Sequence, residues 1–296
     1  MPKPEVVFFG SGPVAAASLQ FLKNHFDFEA VVTKPATLPE MTSINASKRI
    51  FSVSNASELN KLIDSKRFKS PVGIIVDFGV IIDKQTIDLF KLGIVNSHFS
   101  LLPQWRGADP ITFAVLGGQS KTGVSLMLIA PELDTGKLIA QKTLPILPDA
   151  TTPSLTKELV ALSNSMLVEY LPRYISGKVK PRAQPHENRA TYSRKLTKAD
   201  GIIDWEKPAK QLEREVRAYT SWPKSLTTLA GKEVILLKTH VEPRNGPVGK
   251  KFIENKKLGI YCSEGALIID KLKPAGKNEM TSEAFLAGHK HLIDTV

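Results

Sequence analysis

The chain has 296 residues, 42% of them hydrophobic, a formal net charge of +11 and one cysteine. One cysteine excludes a disulfide framework, and no run of eighteen or more apolar residues is available to span a bilayer. The length suits two domains, each with its own core. The start, Met1-Pro2-Lys3-Pro4-Glu5, lacks the apolar stretch and cleavage site of a signal peptide, so a cytoplasmic location is expected. The charge is uneven: residues 1–172 carry a net +1, residues 173–200 a net +6 and residues 201–296 a net +4. A basic band beside a near-neutral part suits a polyanion that presents one end to an active site. Solubility alone is the plainer explanation.

Val6 to Phe9 is an apolar run that ends in Gly10-Ser11-Gly12-Pro13 and leads into the alanine-rich Val14 to Leu22. Strand, glycine turn and helix make a βαβ opening. The third glycine of the dinucleotide fingerprint is missing, and Pro13 suits the first turn of the helix. A strand at Glu29 to Thr33 follows, then a loop from Lys34 to Met41. Ser57 to Phe68 reads as a helix with Ser57 as its N-cap and Leu59, Leu62 and Ile63 on one side. Val72 to Val76 is a buried central strand ending at Asp77, which reads as a strand-end cap or as a ligand contact. Asp83 to Phe90 is a helix, and Lys91 to Val95 a short strand that reaches its carboxyl end.

The polar residues that begin there carry the chemistry, because the crevice of an open parallel sheet lies at the carboxyl ends of its strands. Asn96 and His98 are two apart, so in extended backbone they project to one side and can donate toward one point. That pair suits polarising a carbonyl or holding an oxyanion. A carboxylate follows on a glycine loop, Leu133-Asp134-Thr135-Gly136. The alternative for His98 is a core histidine bonded to backbone. Cys262 has no flanking pattern, no Gly-x-Ser-x-Gly elbow exists, and no His/Cys/Asp cluster has ligand spacing, so neither a covalent nucleophile nor a metal is expected. Beyond the motif, a helix from Pro110 to Leu116, strands at Thr122 to Ile129 and Lys137 to Lys142, and a helix from Thr151 to Tyr170 complete the first part. Pro181 and Pro185 forbid a regular helix across the basic stretch that follows, which reads as an extended linker. A helix at Ala209 to Ala218 precedes short strands at Ser225–Leu229, Glu233–Thr239, Leu258–Cys262 and Ala266–Leu272, the pattern of a small barrel such as an OB-fold.

Residues 96–111, Asn-Ser-His-x-Ser-Leu-Leu-Pro-x-Trp-Arg-Gly-Ala-x-Pro-Ile, resemble the signature of the folate-dependent formyltransferases, whose Leu-Asp-Thr-Gly segment is matched at 133–136. Tyr192 to Trp205 and Ser221-Trp222-Pro223 are similar to the second domain of the branch that acts on tRNA. The resemblance implies a Rossmann-like, open parallel-type α/β formyltransferase domain over 1–176. A basic extended linker over 177–203 and an OB-like tRNA-binding domain over 204–296 would follow. It further implies 10-formyltetrahydrofolate as donor and initiator methionyl-tRNA as acceptor, with no membrane and no obligate protein partner, in a monomer. Asn96 would donate to the developing oxyanion, and His98, if charged by pairing with Asp134, would donate too and help protonate the departing nitrogen. Asp134 would pair with His98 and, through a water, lead the amine's proton away; which of the two carries the proton at each step is open at this point.

By the same resemblance Phe78, Gly79, Val80 and Ile81 wall the folate pocket, largely through backbone, with Ile129 at the neighbouring strand end. Leu101, Leu102 and Pro103 form either an apolar ledge for the donor or simple core. Ser11, Gly12 and Pro13 would lie near the acceptor's amino-acid end. Arg106 would hold its loop or meet the acceptor's terminal phosphate, and Arg182, Arg189, Arg194, Lys195 and Lys198 would supply phosphate contacts. Two departures stand out. Phe78 replaces a tyrosine, and Lys34 to Met41 has one lysine, no arginine and no glycine where the tRNA branch carries a long basic loop. A sugar-nucleotide N-formyltransferase with the same donor is the nearest rival. A non-catalytic RNA-binding protein is the other, and the presence of Asn96, His98 and Asp134 together argues against it.

Overall fold

The computed structural model describes residues 3–44, 49–66 and 68–289. Arg67, within the helix expected over 57–68, lies outside the described residues, as do residues 1–2 of the first expected domain and 290–296 of the last. The chain divides into two compact units. The first comprises Met1–Pro110, Lys121–Pro145 and Thr156–Ser193, the second Ile111–Ser120, Ile146–Leu155 and Arg194–Val296. The segment read as a linker thus divides between the units after Ser193.

In chain order the elements up to Ser193 are β1 (Glu5–Gly10), α1 (Gly12–Leu22), β2 (Asp27–Thr33), α2 (Leu38–Ile44), β3 (Arg49–Ser52), α3 (Ala56–Lys66), β4 (Gly73–Val76) and α4 (Lys84–Asp88). They continue with β5 (Ile94–His98), β6 (Arg106–Gly107), α5 (Pro110–Leu116), β7 (Lys121–Leu128), β8 (Leu138–Pro145), α6 (Thr152–Ile175) and β9 (Tyr192–Ser193). Seven strands make one sheet in the order β3-β2-β1-β4-β5-β7-β8. The ladders from β3 to β5 are parallel. Those joining β5, β7 and β8 are antiparallel, so the expected parallel sheet carries an antiparallel edge. Order reverses between β1 and β4, which opens the crevice where Ser11 and Asp77 leave their strands.

The strands read as they do because they are buried on both faces. Val6, Val7, Phe8 and Phe9 of β1 are fully inaccessible, as are Ile74 and Val76 of β4 and Ile94 and Val95 of β5. Gly10 is required where β1 ends: a Cβ there would lie 2.8 Å from the Val76 carbonyl oxygen and 2.7 Å from the Ala15 side chain. The packing of α6 follows its sequence pattern, with Leu155, Leu159, Met166 and Leu167 buried. That helix runs through Pro172 to Ile175, further than expected.

Three local expectations differ. The cap of α3 is Asn55, not Ser57: the Asn55 carbonyl Oδ1 accepts from the Glu58 amide at 3.0 Å, and Glu58 reaches back to the Ser54 amide at 2.7 Å. The pair resembles a capping box in which Glu58 takes the amide before the cap, and it starts the helix two residues earlier than a Ser57 cap would. Asp77 caps nothing through its side chain among the described residues. Asp83 is the cap, accepting from the Thr86 amide at 2.9 Å to open α4. Lys34 to Met41 is not a loop. Pro35–Thr37 form a 3-10 turn and α2 starts at Leu38, the turn being tied by a 2.6 Å bond between the Thr33 and Thr37 hydroxyls.

In the second unit α7 (Ala209–Ala218) precedes β10 (Ser225–Leu229), β11 (Lys232–Glu242), β12 (Lys251–Glu254), β13 (Lys257–Tyr261), β14 (Ala266–Pro274), β15 (Met280–Thr281) and α8 (Ser282–His289). The sheet is antiparallel in the order β10-β11-β14-β13-β12, with β15 on β14. Register shifts in β11 near Lys238 bend this long strand, as bulges do in small barrel-like sheets. Leu212 and Val216 of α7 pack with Leu236, Ile269, Leu272 and Phe285 in its core. Strands β12 and β15, too short to declare themselves by pattern, are additions to the expected set.

Candidate active site

β5 runs through His98, three residues past the expected end at Val95, so Asn96 and His98 lie on the strand itself. Ser97 points to the opposite face, where its hydroxyl meets that of Ser163 on α6 at 2.6 Å. The alternation of a strand therefore turns Asn96 and His98 together, away from α6. Asn96 pairs with Ile75 of β4 and with Met127 of β7, next to the crevice.

His98 is 5% exposed, and both ring nitrogens have protein neighbours. Nε2 lies 3.0 Å from the Trp105 carbonyl oxygen and Nδ1 lies 3.6 Å from Asp134 Oδ2. Burial pulls the imidazole below its ordinary value; Asp134 and the Trp105 carbonyl pull the other way without prevailing. Of the two protonation states left open for this ring, burial favours the neutral one, against the pull of a carboxylate at 3.6 Å. A carbonyl can only accept, so Nε2 carries the hydrogen and Nδ1 offers its lone pair toward Asp134.

Asp134 comes from the turn after β7, in left-handed backbone with φ 52°. Its Oδ2 accepts from the Gly107 amide at 2.7 Å, and its carbonyl accepts from Gln184 Nε2 at 2.7 Å. Gly136 closes that turn under Leu128, whose carbonyl oxygen would lie 1.6 Å from an added Cβ. Trp105, φ 56°, and Asp77, φ 50°, are also left-handed. Non-glycine residues held this way mark places that the surrounding structure over-determines.

The candidate folate residues divide. The Phe78 ring is buried, 5.7 Å from the Phe9 ring, so it belongs to the core and offers a ligand its backbone only. Leu102 is buried with Met127 and Leu138, and Pro103 is buried as well, which corrects the ledge reading to core for both. Leu101 stays half-buried. Val80 and Ile129 are partly buried on one cluster, and Ile81 beside them is 81% exposed. Among the described residues the amides of Gly79, Val80 and Ile81 donate to nothing. This apolar wall with unused backbone donors fits a flat, amide-rich heterocycle.

The candidate acceptor residues divide too. Ser11 spends its hydroxyl on the Phe78 carbonyl at 2.7 Å and its amide on the Asp77 carbonyl at 2.8 Å, tying β1 to β4. Gly12 is left-handed, φ 83°, and Pro13 sits exposed in the first turn of α1. Beside them, desolvation raises the Asp77 carboxyl, Lys34 opposes this and Asp109 adds to it. Arg106 is 5% exposed, with Nη2 bonded to Gln184 Oε1 at 2.8 Å. A guanidinium held inside the fold this way supports its loop, which corrects its assignment to an acceptor phosphate. Arg182, Arg189, Lys195 and Lys198 are exposed. Arg194 is exposed but paired with Asp200, Nη1 lying 2.9 Å from Oδ2, and with the Thr197 amide it holds that carboxyl well below its usual range.

Sequence reasoning missed the buried amides and hydroxyls beneath the site. Ser125 Oγ donates to the Ser100 carbonyl at 2.6 Å and accepts from the Leu102 amide at 3.1 Å and from Gln141 Nε2 at 2.8 Å. Gln184 and Thr191 were missed likewise. A glutamine between two prolines in a basic stretch reads as solvated; only its 5% exposure reveals it. Among the described residues no group of His, Cys, Asp and Glu could hold a metal, and no helix is long and apolar enough to cross a membrane.

Residues 6–171 match the formyl transferase family model, and residues 195–290 match that of the formyl transferase C-terminal domain. A methionyl-tRNA formyltransferase of Myxococcus xanthus is 35% identical, covering 98% of this chain and 96% of the relative. One from Roseiflexus castenholzii is 32% identical, covering 96% of this chain and 95% of the relative. Among solved structures, a HypX variant from Aquifex aeolicus superposes with a TM-score of 0.68 at 17% identity, over 100% of this chain and 49% of that one. An N-formyltransferase from Helicobacter canadensis, in complex with folinic acid and dTDP-3-aminofucose, gives 0.68 at 18% identity over 91% and 99%. These two likenesses concern the fold alone. With both family models matched and relatives alike over nearly their whole length, the chain belongs to the methionyl-tRNA formyltransferase family of folate-dependent formyltransferases.

Proposed function

We propose that this enzyme transfers the formyl group of 10-formyltetrahydrofolate to the amino group of initiator methionyl-tRNA. The observation that carries the reading is full-length likeness: the second unit is matched along with the first in relatives named for that acceptor. The donor is supported by a HypX structure in complex with tetrahydrofolic acid and by the folinic acid of the Helicobacter canadensis enzyme. In this chain Gly79, Val80, Ile81, Leu101 and Ile129 would hold the donor, which supplies the activated formyl carbon.

The residues then divide the work. Asn96 donates its amide to the formyl oxygen as that oxygen gains charge under attack by the neutral amine. As the new C–N bond forms, the amine nitrogen becomes positive and must lose a proton. His98 Nδ1 and Asp134 together accept it, the bare Nδ1 lone pair lying 3.6 Å from the carboxylate. As the C–N10 bond breaks, the same proton passes to the departing nitrogen, and the pair returns to its resting state. No covalent bond to the protein is needed.

The acceptor's phosphates would meet Arg182, Arg189, Lys195 and Lys198, which keep their charges in solvent. A sugar-nucleotide acceptor is the second reading. It is favoured by the turn and short helix at Pro35–Ile44, which offer no basic side chain. Purified enzyme given 10-formyltetrahydrofolate should formylate methionyl-tRNA and leave free methionine untouched. Turnover of an amino-sugar nucleotide, with none of charged tRNA, overturns the first reading in favour of the second.

A further inference from the structure

The segment over residues 182–193 lies along both loops that face His98. At one end, Arg182 exchanges backbone hydrogen bonds with Leu138, N to O at 2.9 and 2.7 Å, just beyond the Asp134 turn. Two residues on, Gln184 Nε2 donates to the carbonyls of Asp134 at 2.7 Å and Gly136 at 3.0 Å, while its Oε1 accepts from Arg106. At the other end, the Trp105 amide donates to Thr191 Oγ1 at 2.9 Å, and the Arg106 amide to the Thr191 carbonyl at 2.8 Å. β9 then pairs with β6, and the Asp109 amide donates to Ser193 Oγ at 3.1 Å.

The two protein groups that address His98 are the Trp105 carbonyl, on Nε2, and Asp134, near Nδ1. Each sits on a left-handed residue that an open loop would not keep. Each is tied to the same twelve-residue stretch, one through Thr191 and the other through Gln184. We propose that residues 182–193 form a strap of the active site, in which Gln184 and Thr191 are positioning residues that hold Asp134 and the Trp105 carbonyl against opposite nitrogens of His98. The inference rests on the reading of His98 as the proton-handling residue. Among the described residues Asp134 is the charged group that faces the ring. The Arg106 guanidinium, on the neighbouring residue of the Trp105 loop, is bound to Gln184 rather than to His98. The last stretch of the first unit would then complete the catalytic centre, and cutting the chain before Arg182 would remove part of that centre.

The experiment uses full-length enzyme with Gln184→Met and Thr191→Val, both close in shape to the originals. Gln184→Met removes the amide that serves two carbonyls and Arg106, and Thr191→Val removes the acceptor of the Trp105 amide. Misplacing a catalytic pair by about 1 Å lowers turnover by up to about 100-fold. Each variant should therefore lose about 10- to 100-fold in kcat while KM for donor and acceptor stays within about twofold. By NMR, the His98 imidazole, assigned among the six histidines by its absence in His98→Asn, should titrate lower still in both variants, since each loosens one of the two groups that raise it. Thr191→Ser, which keeps the hydroxyl, should restore wild-type behaviour. Gln184→Glu, which keeps a partner for Arg106 but loses the amide hydrogens, should not. Unchanged kcat and unchanged His98 titration in Gln184→Met and Thr191→Val overturn the strap, as does a change in KM alone. Wild-type enzyme that transfers no formyl group would sink the functional reading instead, and the His98 titration would still decide the strap.

Discussion

His98 Nε2 meets the carbonyl oxygen of Trp105 at 3.0 Å, and this one contact fixes which ring nitrogen carries the hydrogen. With Nε2 committed as donor, the proton-accepting atom is Nδ1, beside Asp134. Burial holds the ring below the ordinary imidazole value of 6.5, so it stays neutral in the folded enzyme where the unfolded chain already binds a proton. The linkage has a definite sign: as pH falls through 6.5, protons favour the unfolded state, and stability declines. His98→Asn lacks that group, so its stability should fall less than wild type's between pH 7 and pH 5. The imidazole should titrate below 6.5 by NMR. A midpoint at or above 6.5 would contradict the resting state described here.

Gly136 is tested by one methyl group. Its added Cβ would lie 1.6 Å from the Leu128 carbonyl oxygen, so backbone must move to admit it. The Asp134 turn moves with it. Gly136→Ala should lower kcat by about 10-fold or more, with the sheet intact by circular dichroism. Wild-type turnover would mean that Asp134 tolerates a displaced turn.

The basic stretch yields a prediction that separates its members. Lys195 and Lys198 are exposed, whereas Arg194 is engaged with Asp200. Replacing both lysines by alanine should weaken charged-tRNA binding and flatten log affinity against log salt by up to about 0.9 per true phosphate contact. KM for the folate donor should not change. Arg194→Ala should alter the slope less, because its charge is already paired. Binding measured at four or five salt concentrations decides it, and an unchanged slope in the double variant removes these lysines from the tRNA surface.

Much of the fold was legible because buried strands announce themselves. Val6 to Phe9, Val72 to Val76 and the alternation after Thr122 gave strands where strands lie, and α7 and β10 match residue for residue. The site was legible as far as its polar residues break an apolar context: Asn96, His98 and Asp134 all do. What stayed hidden depends on distant partners. Nothing local says that Leu102 turns into the core while Ile81 faces solvent, because both sit in apolar loop sequences. Arg106 and Gln184 bond to each other across 78 positions, and neither residue alone suggests burial. The charge state of His98 was not legible for a related reason. A carboxylate partner can be read from a motif, but the desolvation that outweighs it requires the packed fold.

The proposed transfer of the formyl group to methionyl-tRNA depends on His98, with Asn96 and Asp134. Single-turnover formylation, with enzyme in excess over charged tRNA and donor saturating, tests it without interference from product release. His98→Ala should lower the rate by a factor on the order of 10² to 10⁴ while tRNA affinity stays near wild type, as expected for a lost proton-transfer group. A rate within about threefold of wild type, which would leave almost no share of that stabilisation to His98, would contradict the account.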